Sequence, residues 1–141
     1  DLIIRNPNST RPWQHVLEPL SGYLKFAINL NKNKFNGESF NFGPSIKNSK
    51  TVRKLAEEMS RSLLNFKYYV SNKKIFKEHK LLQLNCEKAK KKLNWVPKLN
   101  FNETVSYTVS WYLYDFNNKG KNMSKFSINQ ILSFIKNDQK H

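Results

Sequence analysis

Residues 2–24 read LIIRNPNSTRPWQHVLEPLSGYL, and the change of period inside this stretch decides the fold. Leu2-Ile3-Ile4 is a short apolar, β-branched run that reads as a strand. Asn6-Pro7-Asn8-Ser9 is turn chemistry, with Pro fixing φ and Asn and Ser bonding their own backbone. Trp13 to Val16 reads as a second short extended piece. From Leu20 the period switches. Leu20, Tyr23, Leu24, Ala27 and Ile28 recur at helical spacing and mark one face of an amphipathic helix. That helix is expected to die out in the polar connector Asn29 to Asn33.

The same alternation continues downstream. Ser39-Phe40-Asn41-Phe42 reads as a strand ended by Gly43-Pro44. Thr51 is placed to cap a helix whose stripe is Val52, Leu55, Met59 and Leu63, with Ala56. Lys67 to Val70 and Ile75-Phe76 read as extended pieces. Asn85 is the expected N-cap of a short helix with Ala89 and Leu93 inward and Lys88, Lys90, Lys91 and Lys92 mostly outward. Trp95-Val96-Pro97 stops it. Asn100 and Glu103 have capping-box spacing. Val105, Thr108, Val109, Tyr112, Leu113 and Phe116 mark a longer helix ending near Asn117 to Gly120. Ser127 is read as the cap of a last helix carrying Ile128, Ile131, Leu132 and Ile135. Short strands alternating with amphipathic helices predict an α/β fold, and no internal repeat or linker divides the 141 residues.

Composition narrows the class. A hydrophobic fraction of 38% and an aromatic fraction of 13% are too high for a disordered tail, so a folded core is expected. The 25 Lys and Arg against 10 Asp and Glu give a charge of +15. That charge suits either a polyanion partner or a merely Lys- and Asn-rich surface. RNA- and DNA-binding signatures are absent, which disfavours nucleic acid. Cys86 is the one cysteine, so no intrachain disulfide forms, as suits a reducing, cytoplasmic setting. No apolar run reaches the roughly 20 residues that span a bilayer. Asp1 in place of Met suggests processing, or a piece of something longer.

Specific strings go further. Ile4 to Leu24 is similar to the IRNPxxTRPWQHVLEPLxGYL segment of CDP-glucose 4,6-dehydratases, a branch of the extended short-chain dehydrogenase/reductases. Phe40-Asn41-Phe42-Gly43-Pro44 resembles that family's WNFGP, and Thr51-Val52 its TVxxLV. Leu84 to Ala89 resembles LDCSKA, Leu93 to Pro97 LGWxP, Thr108 to Tyr112 TVxWY, and Gln130-Ile131 the closing QI. Asn85 stands for the family's Asp and Asn94 for its Gly; Asn still suits both a cap and a left-handed turn. Lys32 to Asn36 is more polar than the family pattern.

The resemblance implies a single C-terminal substrate-binding region over 1–141, with the N-terminal Rossmann NAD-binding domain absent. The intact enzyme would convert CDP-glucose to the 4-keto-6-deoxy sugar nucleotide with bound NAD, as a homo-oligomer or otherwise. Alternatives are another nucleotide-sugar epimerase or dehydratase, a basic polyanion-binding module, or a remnant of a broken gene. The family's Arg matching Arg11 contacts the diphosphate of the nucleotide sugar, and Glu78-His79 falls where the family has a segment near the pocket. Arg11 and Glu78 are therefore the expected substrate-binding residues.

No catalytic, cofactor-binding or metal-binding residue is assigned. The glycines Gly22, Gly37, Gly43 and Gly120 are too scattered for a phosphate-cradling fingerprint, and this chain alone is expected to lack dehydratase activity. Tyr69 and Lys73 match Y-x-x-x-K in spacing, but that pair must lie on a helix to work and here straddles a strand end. His15 is read as a packed strand histidine, Cys86 as a small packed residue, and Trp111, Tyr112 and Tyr114 as core and rim.

Overall fold

A computed structural model describes residues 2–63, 66–71 and 83–136. Their order is β1 (Leu2–Ile4), β2 (Thr10–Pro12), α1 (Leu17–Asn31), β3 (Ser49–Thr51), α2 (Val52–Ser62), β4 (Tyr68–Val70), α3 (Glu87–Leu93), α4 (Phe101–Asn118) and α5 (Met123–Lys136), with one turn of 3-10 helix before β3. The chain is mixed α/β. Its described strands form two small sheets: β1 runs parallel to β4, and β2 runs antiparallel to β3.

The helix signals act as expected at several ends. Thr51 Oγ1 accepts from Lys54 N at 3.1 Å. Asn100 and Glu103 close a full capping box, side chain to backbone in both directions. Asn94 ends α3 in the left-handed conformation at φ 49°, a position where Asn substitutes for Gly at modest cost. Other ends move. α1 begins at Leu17 and runs through Asn31, absorbing much of the expected connector. Cys86 is the residue before α3, while Asn85 Oδ1, one step earlier, accepts from Glu87 N at 3.0 Å. α5 starts at Met123, so Ser127 is no cap; its Oγ accepts from Trp111 Nε1 at 3.0 Å.

Two clusters make the core. Phe42, Ala89, Leu93 and Trp95 pack with Phe26, Phe35, Phe40 and Cys86. Phe101, Val105 and Val109 pack with Leu55 and Met59 from α2, with Leu63 just past its end, and with Trp13 and Leu113. Trp95 is almost fully buried, and truncating such a side chain to Ala costs about 3–5 kcal/mol. Gly22 lets α1 lie on the Phe42 ring, because a Cβ there would come within 2.3 Å of it.

Three strand and face expectations are corrected. Trp13 to Val16 forms no strand, since those side chains bond into other segments instead. Residues 39–42 form no ladder either. Their rings still alternate like a strand, with Phe40 and Phe42 stacked 6.5 Å apart, about the two-residue rise of extended chain. The stripes on α1 and α5 are exposed: Leu24 is 67% and Ile28 57% accessible, and Ile128, Ile131, Leu132 and Ile135 also face outward. Periodicity locates an apolar face but not what covers it. The Ile75-Phe76 piece lies outside the described residues.

Candidate functional site

The stretch from Thr10 to Glu18 ties most of the molecule together. Trp13 Nε1 donates to Lys50 O at 2.9 Å, holding β2 to β3. Gln14 Nε2 donates to Phe42 O at 3.2 Å. Glu18 is 1% exposed, and its Oε1 accepts from Lys98 N at 2.8 Å and Leu99 N at 2.7 Å. Asn48 Nδ2 secures the same loop through Leu99 O at 2.8 Å. Ser21 Oγ accepts from Trp95 Nε1 at 2.9 Å. Trp13, Gln14, Glu18 and Ser21 of this long motif are therefore structural partners, tying it to β3, to the extended run at Phe42 and to the segment 95–99.

Arg11 lies half-buried in β2, and its Nη1 donates to Thr10 O at 3.0 Å. Its register partner in β3 is Lys50. Directly opposed residues of an antiparallel pair share a face, so Arg11 and Lys50 put their side chains on the same side of the ribbon. A guanidinium fork suits phosphate oxygens. Lys50 was not identifiable from sequence, because cross-strand register is not local. The two-stranded ribbon is held at its end by Ser9 O, which accepts from Val52 N at 3.0 Å.

His15 is buried, but it sits in the loop before α1 rather than in a strand. Its Nδ1 accepts from Leu17 N at 3.4 Å, and its ring meets Tyr107 edge-on at 5.5 Å. Burial lowers its pKa from 6.5, so the neutral ring is favoured. Nothing in these contacts makes it a catalytic base. The Cys86 thiol is pushed up from 9.0 by burial, against a bond from Gly43 N at 3.0 Å. That is the opposite of an activated nucleophile.

Tyr69 stands in β4, 54% exposed, and not on a helix. Lys73, Glu78 and His79 lie outside the described residues. Of the four lysines on α3, Lys88 and Lys92 are not simply solvated. Both reach Glu38 at 3.0 Å and sit over the rings of Phe40 and Phe35, respectively. Trp111 and Tyr114 are half-buried, whereas Tyr112 is exposed. A shallow groove between α4 and α5 is lined by Tyr107, Ser110, Phe126, Gln130 and Ser133 among others. Its polar groups bond one another, as in Tyr107 to Ser133 at 3.1 Å and Gln130 to Ser110 at 3.1 Å.

A nicotinamide dinucleotide needs a Gly-rich turn from a strand into a helix N-terminus. Gly22 lies inside α1, Gly43 follows the extended run, and Gly37 and Gly120 occupy turns with positive φ. The described residues do not fit that cofactor. Among the described residues no group of three His, Cys, Asp or Glu could hold a metal ion, and no helix is long and apolar enough to cross a membrane.

No protein-family model matches the chain. Over 114 residues, 79% of its length, the chain is 40% identical to CDP-glucose 4,6-dehydratase of Salmonella typhimurium (strain LT2). The match takes in 32% of that protein, so the chain spans about a third of the length of this curated relative. This similarity relates the chain to one part of a CDP-glucose 4,6-dehydratase.

Proposed function

We propose that this chain is the C-terminal, substrate-side part of an NAD-dependent nucleotide-sugar 4,6-dehydratase acting on CDP-glucose. The observation that carries the reading is the 40% identity over 114 residues. Further support comes from the order of the quoted strings along the chain. The hydride and proton chemistry is assigned to a preceding Rossmann half, since none of the described residues fits the cofactor.

The chain's own part is to hold the substrate. Arg11 grips the diphosphate with its fork, and Lys50, its register partner, adds a second positive charge. The ribbon is kept in place by the Trp13 bond to Lys50 O, so the guanidinium starts from a fixed backbone. Glu78 is assigned to the same pocket as a contact to the sugar nucleotide. Alone, the chain turns over no CDP-glucose.

The test replaces the matched third of the Salmonella enzyme with this chain and varies Arg11 in the graft. Arg11→Ala is expected to raise KM for CDP-glucose by about tenfold or more, with kcat less affected, as loss of a charged hydrogen bond of roughly 1.5–3 kcal/mol requires. Arg11→Lys should recover only part, because an ammonium cannot bind bidentately. An unchanged KM in Arg11→Ala would remove Arg11 from the site.

A further inference from the structure

α5 packs on α4 by one side only. Phe134 is buried, the Phe126 ring stacks on Tyr114 at 4.3 Å, and Gln130 and Ser133 bond to Ser110 and Tyr107. The other side carries Ile128, Ile131, Leu132 and Ile135, between 41% and 55% exposed. These four share one face at helical spacing, and the face holds no aromatic ring. Charge around it is one-sided. No Asp or Glu occurs between Phe116 and Asn137, whereas Lys119, Lys121, Lys125 and Lys136 are all exposed. Among the described residues none of these four lysines pairs with a carboxylate; the cations that do pair, Lys54, Arg61, Lys88, Lys91 and Lys92, lie on α2 and α3. Lys125, Ile128, Leu132 and Lys136 follow one another at steps of three and four residues, so a lysine stands at each end of the stripe on one line of the helix surface.

We propose that α5 is an interfacial helix, which lays its Ile128 to Ile135 stripe on a membrane surface that carries anionic lipid. An apolar stripe flanked by lysines and free of acidic residues is the pattern of such helices: the stripe enters the acyl boundary and the ammonium groups meet the headgroup phosphates. Lysine stems are long enough to follow the apolar stripe while their charges stay at headgroup level. At 14 residues α5 is too short to cross a bilayer, so it lies along the surface. Lipid suits the stripe better than other polyanions do. Protein partners are gripped chiefly by Trp, Tyr and Arg seated in pockets, and single-stranded nucleic acid by aromatic stacking; this face offers neither, because Phe126 and Phe134 turn inward. A second copy would bring like charge against like, at +15 for each chain. The surface involves neither Arg11 nor Lys50, so it stands or falls separately from the dehydratase reading.

The experiment sediments the 141-residue chain with vesicles of phosphatidylcholine, alone or with about 30% phosphatidylglycerol, as the anionic surface the lysines require. Binding to the anionic vesicles is expected to be at least about tenfold tighter than to the neutral ones. Charge alone could draw so basic a chain to an anionic surface, so the apolar substitutions decide. Leu132→Ser with Ile135→Ser should weaken binding at least about tenfold and leave the unfolding midpoint unchanged, since both side chains are exposed. Lys125→Gln with Lys136→Gln should weaken it by a similar factor, about fivefold for each lysine near the surface. Leu24→Ser with Ile28→Ser, on the exposed face of α1, should change it by less than about twofold. Absence of binding, binding indifferent to the Leu132 and Ile135 substitutions, or an equal loss from the α1 pair overturns the proposal. So does a dimer of the chain that the Leu132 and Ile135 substitutions dissociate, or a single-stranded oligonucleotide bound more tightly than the anionic vesicles.

Discussion

Single residues carry most of what can be tested cheaply. The buried Glu18 carboxylate accepts two backbone bonds from the loop before α4. Glu18→Ala strands both donors, and at roughly 1–3 kcal/mol for each stranded group a loss of about 3 kcal/mol in urea unfolding is expected. Gly22→Ala gains helix propensity, about 1 kcal/mol, but drives a methyl into the Phe42 ring, which costs roughly 1–3 kcal/mol. The net is destabilising, and Phe42→Leu in the same chain should relieve part of it in a double-mutant cycle. His15 gives a pH signature. Its folded pKa lies below 6.5 through burial, so below that pH the unfolded chain takes up a proton the folded chain resists. Stability therefore falls as pH drops from 6.5 toward the folded pKa. Urea midpoints at pH 7.5 and 5.5 should show that slope, and His15→Gln should flatten it.

At the scale of elements, local chemistry was legible and partners were not. The Asn100–Glu103 box, the Thr51 cap and the left-handed Asn94 were readable because each involves residues within a few positions. Asn94→Gly should hold or raise stability, whereas Asn94→Ala should cost about 1 kcal/mol at φ 49°. The β2–β3 ribbon is not legible in the sequence because Thr10–Pro12 and Ser49–Thr51 are too short to show a period and pair across nearly 40 residues. Residues 39–42 differ from their strand pattern for the reverse reason. Their pattern is a strand's, but a strand needs a neighbour, and none is among the described residues. The α5 stripe, Ile128 to Ile135, does share one face of the helix, but that face is exposed, and Phe126 and Phe134 on another side do the inward packing.

For the whole molecule, the uncovered surfaces matter more than the core. The parallel β1–β4 pair bares Ile3, 66% exposed, and Tyr69. Parallel strands are ordinarily covered on both faces. Arg11 was legible as a candidate through the resemblance of its segment; Lys50 became one only through register. The central claim is that this chain supplies the substrate side of a CDP-glucose dehydratase. It is tested most directly by grafting the chain onto the remaining two thirds of the Salmonella enzyme and assaying CDP-glucose for the 4-keto product. Product formed by the graft, and none by the chain alone, is the predicted result. A graft that melts cooperatively and retains NAD, yet makes no product from CDP-glucose, contradicts it.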